Sequence, residues 1–198
     1  MYGKTEAGVG LPVLVDSSGR LITAGGGKYR EKTLSGNQFF AFCQTQDMAL
    51  YTATSAIGLI VYNPPNSGKN LVWGKWAAIV WATSATATGL VLAISAQSAT
   101  PTTVTAATLT GSTLLTGSTG LTTGVAIAYS VATIAVAPVI AWPLFHNTAA
   151  INTVGAENMS GDLDGILASA PGTVTVLGAL GAAFVDIDVA ISWTEVDA

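Results

Sequence analysis

Between Trp76 and Ala156 the chain runs for 81 consecutive residues without an Asp, Glu, Lys or Arg. A free small domain spreads charges of both signs over its surface to stay soluble, so a stretch this long without any suits burial between subunits better than exposure on a monomer. The whole chain is only 9% charged, where an ordinary soluble domain is about 25% charged. The charges that do occur are segregated. All seven bases (Lys4, Arg20, Lys28, Arg30, Lys32, Lys69, Lys75) and four acids precede Trp76, and seven acids with no base follow Ala156. The first segment therefore nets +3 and the last −7.

A chain this apolar, with a mean hydropathy of +0.55, invites a membrane reading, and residues 125–145 are long enough to span as a helix. The residue pattern argues against it. Val125, Ile127, Tyr129 and Val131 alternate with Ala126, Ala128, Ser130 and Ala132, which is the period of a strand. Pro138 and Pro143 would disturb a helix, and no Lys or Arg cluster flanks the segment to orient it. We expect no membrane span. The opening residues Met1 to Glu6 lead into no apolar signal core, so synthesis and assembly in a cytoplasm are expected.

Strands and turns account for most of the remaining pattern. From Phe184 to Val196, Val185, Ile187, Val189, Ile191 and Trp193 point one way while Asp186, Asp188, Ala190, Ser192 and Thr194 point the other, which reads as a half-buried strand. Leu11–Val15 and Leu21–Thr23 flank the turn formers Asp16 to Arg20, a hairpin pattern, and Gly25-Gly26-Gly27 reads as a joint. Further strands are expected at Ile57–Tyr62, Leu71–Trp81, Leu90–Ser95, Val125–Thr133 and Thr173–Leu177, with a loop at Asn63–Asn70. The expected fold is all-β, a β-sandwich of which the jelly roll is one form, with residues 1–50 as an N-terminal hairpin or extended arm and residues 51–198 as the sandwich.

Chemistry has little to work with here. His146 is the only histidine and Cys43 the only cysteine, so no disulfide and no paired-His or Cys-x-x-Cys zinc signature exists within one chain. Both are expected to be packing residues. Gly68-Lys69 approaches a phosphate loop but has Asn63 and Asn70 where glycine and Ser or Thr are required, and Asp162-Leu163-Asp164-Gly165 lacks the ligands that would complete a calcium loop. No catalytic residues, cofactor or metal are assigned. A net charge of −4 with only +3 in the basic segment is weak for a phosphate-tracking surface, so no nucleic-acid partner is expected.

The two charged ends offer subunit contacts. Lys28, Arg30 and Lys32 share one face if that segment is extended, and Asp186 and Asp188 share one face of the last strand. As exposed groups they are simply solvated, since surface ion pairs contribute about 0–1 kcal/mol. The sharper expectation is that the basic segment of one copy reaches the acidic strand of a neighbour and sets register around a symmetric assembly.

Two stretches, Leu11-Pro12-Val13-Leu14-Val15-Asp16-Ser17-Ser18-Gly19-Arg20-Leu21 and Asn63-Pro64-Pro65-Asn66-Ser67-Gly68-Lys69-Asn70-Leu71, resemble tailed-bacteriophage virion proteins. They cover about a tenth of the chain. The resemblance implies a structural subunit of the virion, most specifically a capsid decoration (cement) protein, with a head fibre or tail component as related forms. It carries over no functional residues. The partners it implies are further copies of the chain, a trimer being the favoured closed form, and the major capsid protein or other virion subunits. The alternative from another class is a carbohydrate-binding or host-recognition module of a fibre or tail, which would use exposed tryptophans among Trp73, Trp76, Trp81, Trp142 and Trp193. Trp193 is expected in the core, on the face of Ile187, Val189 and Ile191.

Overall fold

A computed structural model of the protein describes residues 2–4, 10–12, 38–83, 88–106, 109–111, 124–147, 157–163, 166–181 and 184–198. Every regular element among them is a β-strand. Among the described residues no helix is long and apolar enough to cross a membrane. The chain divides into two compact units, Met1–Glu31 and Lys32–Ala198. In the first, β1 (Tyr2–Lys4) pairs antiparallel with β2 (Gly10–Pro12), Tyr2 lying opposite Pro12. The expected partner strand Leu21–Thr23 and the triple glycine lie outside the described residues.

The second unit is a β-sandwich of two antiparallel sheets. One sheet has the order β11 (Glu157–Asp162), β5 (Lys69–Thr83), β14 (Phe184–Asp197), β3 (Gln38–Met48) and β8 (Leu109–Gly111), with β12 (Ala168–Ser169) also paired to β5. The other has the order β10 (Val139–Asn147), β6 (Thr88–Ala96), β13 (Thr173–Leu180), β4 (Ser55–Asn63), β9 (Ile127–Thr133) and β7 (Thr102–Ala106). β3 falls within residues 1–50, expected as the N-terminal hairpin or arm. Its Phe39, Ala41, Cys43 and Met48 sit in the main core, so the strand belongs to the sandwich, within the unit Lys32–Ala198.

The core forms where the alternating apolar faces of the two sheets meet. Ile187, Val189, Ile191 and Trp193 of β14 pack with Leu59 and Val61 of β4, Leu90 and Leu92 of β6, and Leu177 of β13. Trp193 is the aromatic centre, stacked on Phe39 at 6.1 Å and meeting Trp73 edge-on at 5.9 Å. A register shift lets β5 turn both Trp73 and Trp76 inward: Trp193 lies opposite Trp73, but Ile191 lies opposite Trp76. The extra residue is a bulge at Gly74–Lys75. Ser192 plugs it, its hydroxyl accepting from Lys75 N at 2.9 Å and donating to Lys75 O at 3.3 Å.

Polar groups inside this core are tied across the sandwich. Trp73 Nε1 donates to Ser169 Oγ at 2.8 Å, and Ser169 Oγ shares a 2.7 Å hydrogen bond with Thr175 Oγ1 of the opposite sheet. Glu195, on the inward side of β14, accepts from Val125 N at 3.1 Å and Ala126 N at 3.2 Å. It thereby satisfies two backbone donors just before β9 begins. A Cβ at Gly124 would collide with that carboxylate, which is why the residue before them has no side chain.

The sheet of β4, β6, β7, β9, β10 and β13 buries part of its outer face as well. β4 bends at Gly58, where φ is +145° and a Cβ would stand 2.7 Å from Leu177 O. β9 and β10 lie on opposite sides of β4, β13 and β6, and the intervening antiparallel pairings make them run parallel. The chain between them must therefore cross the sheet. Gln97 holds the crossing segment, its Oε1 accepting from Ala135 N at 2.9 Å and its Nε2 donating to Val136 O at 2.9 Å. Ala132 and Ile134 then close over Ile60, Tyr62, Val174 and Val176 as a second apolar cluster.

Candidate interaction surfaces

The strands segregate charge more sharply than the sequence order does. β4, β6, β7, β9, β10 and β13 contain no Asp, Glu, Lys or Arg at all. Asp47, Lys69, Lys75, Glu157, Asp162, Asp186, Asp188, Glu195 and Asp197 all fall in β3, β5, β11 and β14 of the other sheet. The sandwich thus has one uncharged sheet and one charged sheet. Of the nine large hydrophobic side chains exposed among the described residues, seven lie in the uncharged stretch from Trp76 to Ala156.

Four of those seven form a strip leading into and along β10, at one edge of the uncharged sheet: Val136, Val139, Ile140 and Trp142. Val139 is 69% exposed. Sheet edges in soluble proteins are commonly protected by charge, proline or bulges. β10 has Pro143 and two register irregularities, between Ile140 and Trp142 and between Pro143 and Phe145, but no charge. Its inward residues hold it in place, Phe145 stacking on Trp76 of the facing sheet at 6.4 Å. His146, expected to be a packed or loop residue, instead sits exposed in β10 opposite Gly89. Sequence reasoning missed this strand because Pro143 argues against a strand interior, although an edge strand accepts proline.

Of the proposed contact residues, Lys28, Arg30 and Lys32 lie outside the described residues. Asp186 and Asp188 do share the outer side of β14, but they are not equivalent solvated charges. Asp186 is half-buried, whereas Asp188 is only 9% exposed. The reason is position: β14 is a central strand, and Trp81 of β5 leans over it. Trp81 Nε1 donates to Asp188 Oδ2 at 2.9 Å, while Asp188 Oδ1 is buried with no hydrogen-bond partner among the described residues. The indole itself remains 47% exposed.

Cys43 lies on the inner side of β3, fully buried, with its thiol 3.6 Å from Gly58 O. Burial, and then the charge of Asp188, push its pKa up to about 11. The neutral thiol is therefore the stable form, and thiolate chemistry is suppressed. At the surface, Lys69 pairs with Asp197, and their hydrogen bond raises the lysine pKa and lowers that of the aspartate. Leu163, inside the acidic turn that approaches a calcium loop, is buried in the core; Asp164 and Gly165 lie outside the described residues. Among the described residues no group of three or more His, Cys, Asp or Glu could hold a metal ion.

The class these features define is a two-sheet antiparallel β-sandwich with one uncharged and one charged sheet. Compared with protein-family models, curated proteins and solved structures, the chain matches none.

Proposed function

We infer that the chain is a structural subunit of a bacteriophage particle, in its most specific form a capsid decoration protein that stabilises the shell through contacts with copies of itself and with the major capsid protein. The observation that carries this reading is the uncharged sheet with its exposed apolar strip at β10. An edge strand bearing Val139, Ile140 and Trp142 with no charge is an aggregation hazard on a free monomer and a ready contact inside an assembly. The resemblance of Leu11–Leu21 and Asn63–Leu71 to tailed-phage virion proteins supplies the kind of assembly. The buried Cys43 and the core built on Trp193 are consistent with a packing role.

Electron microscopy of a particle containing the chain tests this reading. The expected map places the sandwich on the particle with β10 against a neighbouring subunit. A particle that lacks the chain, or one in which β10 faces solvent at every copy, would overturn it.

A further inference from the structure

A second surface, on the opposite sheet, points to recognition rather than assembly. We propose that Trp81 is an oriented stacking platform for a neutral saccharide, with Asp188 as the residue that positions it. The hydrogen bond from Nε1 to Asp188 Oδ2 engages the polar edge of the indole and fixes the ring against β14. What remains open is ring surface, on a side chain 47% exposed. A fixed, half-exposed aromatic ring offers large apolar area at low conformational cost, and the C–H face of a sugar ring is a fitting partner for it.

Asp188 is the second, independent sign. It stands in a central strand where the neighbouring pairs are Gln44 on β3 and Ile79 on β5, and it is more than nine-tenths buried. Packing alone would be served by a Thr or Val at that place, because a buried oxygen left without a donor carries a desolvation cost. Oδ1 bears that cost. What the carboxylate gains in return is the hydrogen bond at Oδ2, so its place in the strand is explained by holding the indole rather than by packing.

The surroundings select the ligand class. Ala77 and Ala190 lie beside one another in register on the same outer side, one pair beyond Ile79 and Asp188, keeping that part of the face low. Asn158 and Ser160 of β11 extend it with an exposed amide and an exposed hydroxyl. Amide and hydroxyl groups pair with sugar hydroxyls in either direction. An anion is disfavoured by Asp186 and Asp188. A cation finds the aromatic face but not the carboxylate, which is buried beneath it. The uncharged sheet is not involved, so this site stands or falls apart from the assembly contact at β10.

The test is titration calorimetry of the full chain with maltoheptaose, laminarihexaose, chitohexaose and mannohexaose. At least one is expected to bind, with Trp81→Ala and Asp188→Ala each weakening it tenfold or more. Asp188→Asn, whose amide oxygen still accepts from Nε1, is expected to retain binding within about threefold, which separates the hydrogen bond that orients the ring from the charge of the carboxylate. Trp142→Ala should leave the affinity unchanged, and Trp81→Ala should leave sedimentation unchanged. Binding of none of the four sugars overturns the proposal, as does wild-type affinity in Trp81→Ala. Binding of tetramethylammonium in place of every sugar overturns it too, by making the site a cation receptor.

Discussion

The two sheets of this sandwich share one core and differ in almost everything outside it. The charged sheet shows solvent a mixture of acids, lysines, amides and one fixed indole, and its central strand even buries a carboxylate under Trp81. The uncharged sheet covers part of its outer face with Ala132 and Ile134 and leaves its exposed apolar strip at β10. The difference teaches that charge follows the open face: a sheet that buries apolar clusters on both of its faces can do without it, and among the described strands of the sandwich the sheet with a polar outer face carries all of it.

The comparison breaks first at the core, where the expected effect is largest. Trp193→Ala removes the ring that stacks on Phe39 and meets Trp73, and truncation of a buried tryptophan costs about 3–5 kcal/mol. Chemical denaturation should show the loss as one cooperative transition moved to lower denaturant. Two separated transitions would mean that the sheets unfold independently and that the shared core is not what joins them.

A smaller effect belongs to the charged sheet alone. The Cys43 thiol has a pKa near 9.0 when unperturbed and about 11 in the fold, raised by burial and then by Asp188. The folded state therefore holds the proton more tightly than the unfolded one. The stability this brings is fully present below pH 9 and is lost progressively as pH rises toward 11. Two pH units correspond to a loss on the order of 2 kcal/mol. Tyr129 of the uncharged sheet shifts upward as well, through burial and then Tyr62, so the informative quantity is a difference. Denaturation of wild type and Cys43→Ala across this pH range should show the shallower decline in the variant. Parallel curves would remove Cys43 as the cause.

Much of this contrast could be read from residues in order, and the exceptions have physical causes. The period of β14 was plain because Ile187, Val189, Ile191 and Trp193 alternate with polar or small residues, and all four are in the core. The same parity places Glu195 inside, and a charge there is legible only once Val125 N and Ala126 N are seen to reach it. β3 was obscured because Phe39 faces the core while Phe40 and Phe42 lie on the other side, so aromatic residues on both faces hide the period. β10 was obscured by Pro143 and two bulges. Asp188 sits on the side its parity predicts, but its burial comes from Trp81, 107 residues earlier in the chain, and no local pattern reports a contact of that kind.

The central claim is that the uncharged sheet is an assembly surface and the charged sheet is not. Sedimentation velocity over a range of micromolar concentrations tests it most directly, with one lysine placed on each sheet: Ile140→Lys on the exposed edge of β10 and Ala77→Lys on the exposed side of β5. Both positions are at the surface, so fold stability should change by no more than about 0.5 kcal/mol in either variant. The account predicts a wild-type oligomer, an unchanged oligomer for Ala77→Lys, and a folded monomer for Ile140→Lys. A wild type that stays monomeric throughout, or an Ile140→Lys variant that sediments as the wild type does, would contradict it.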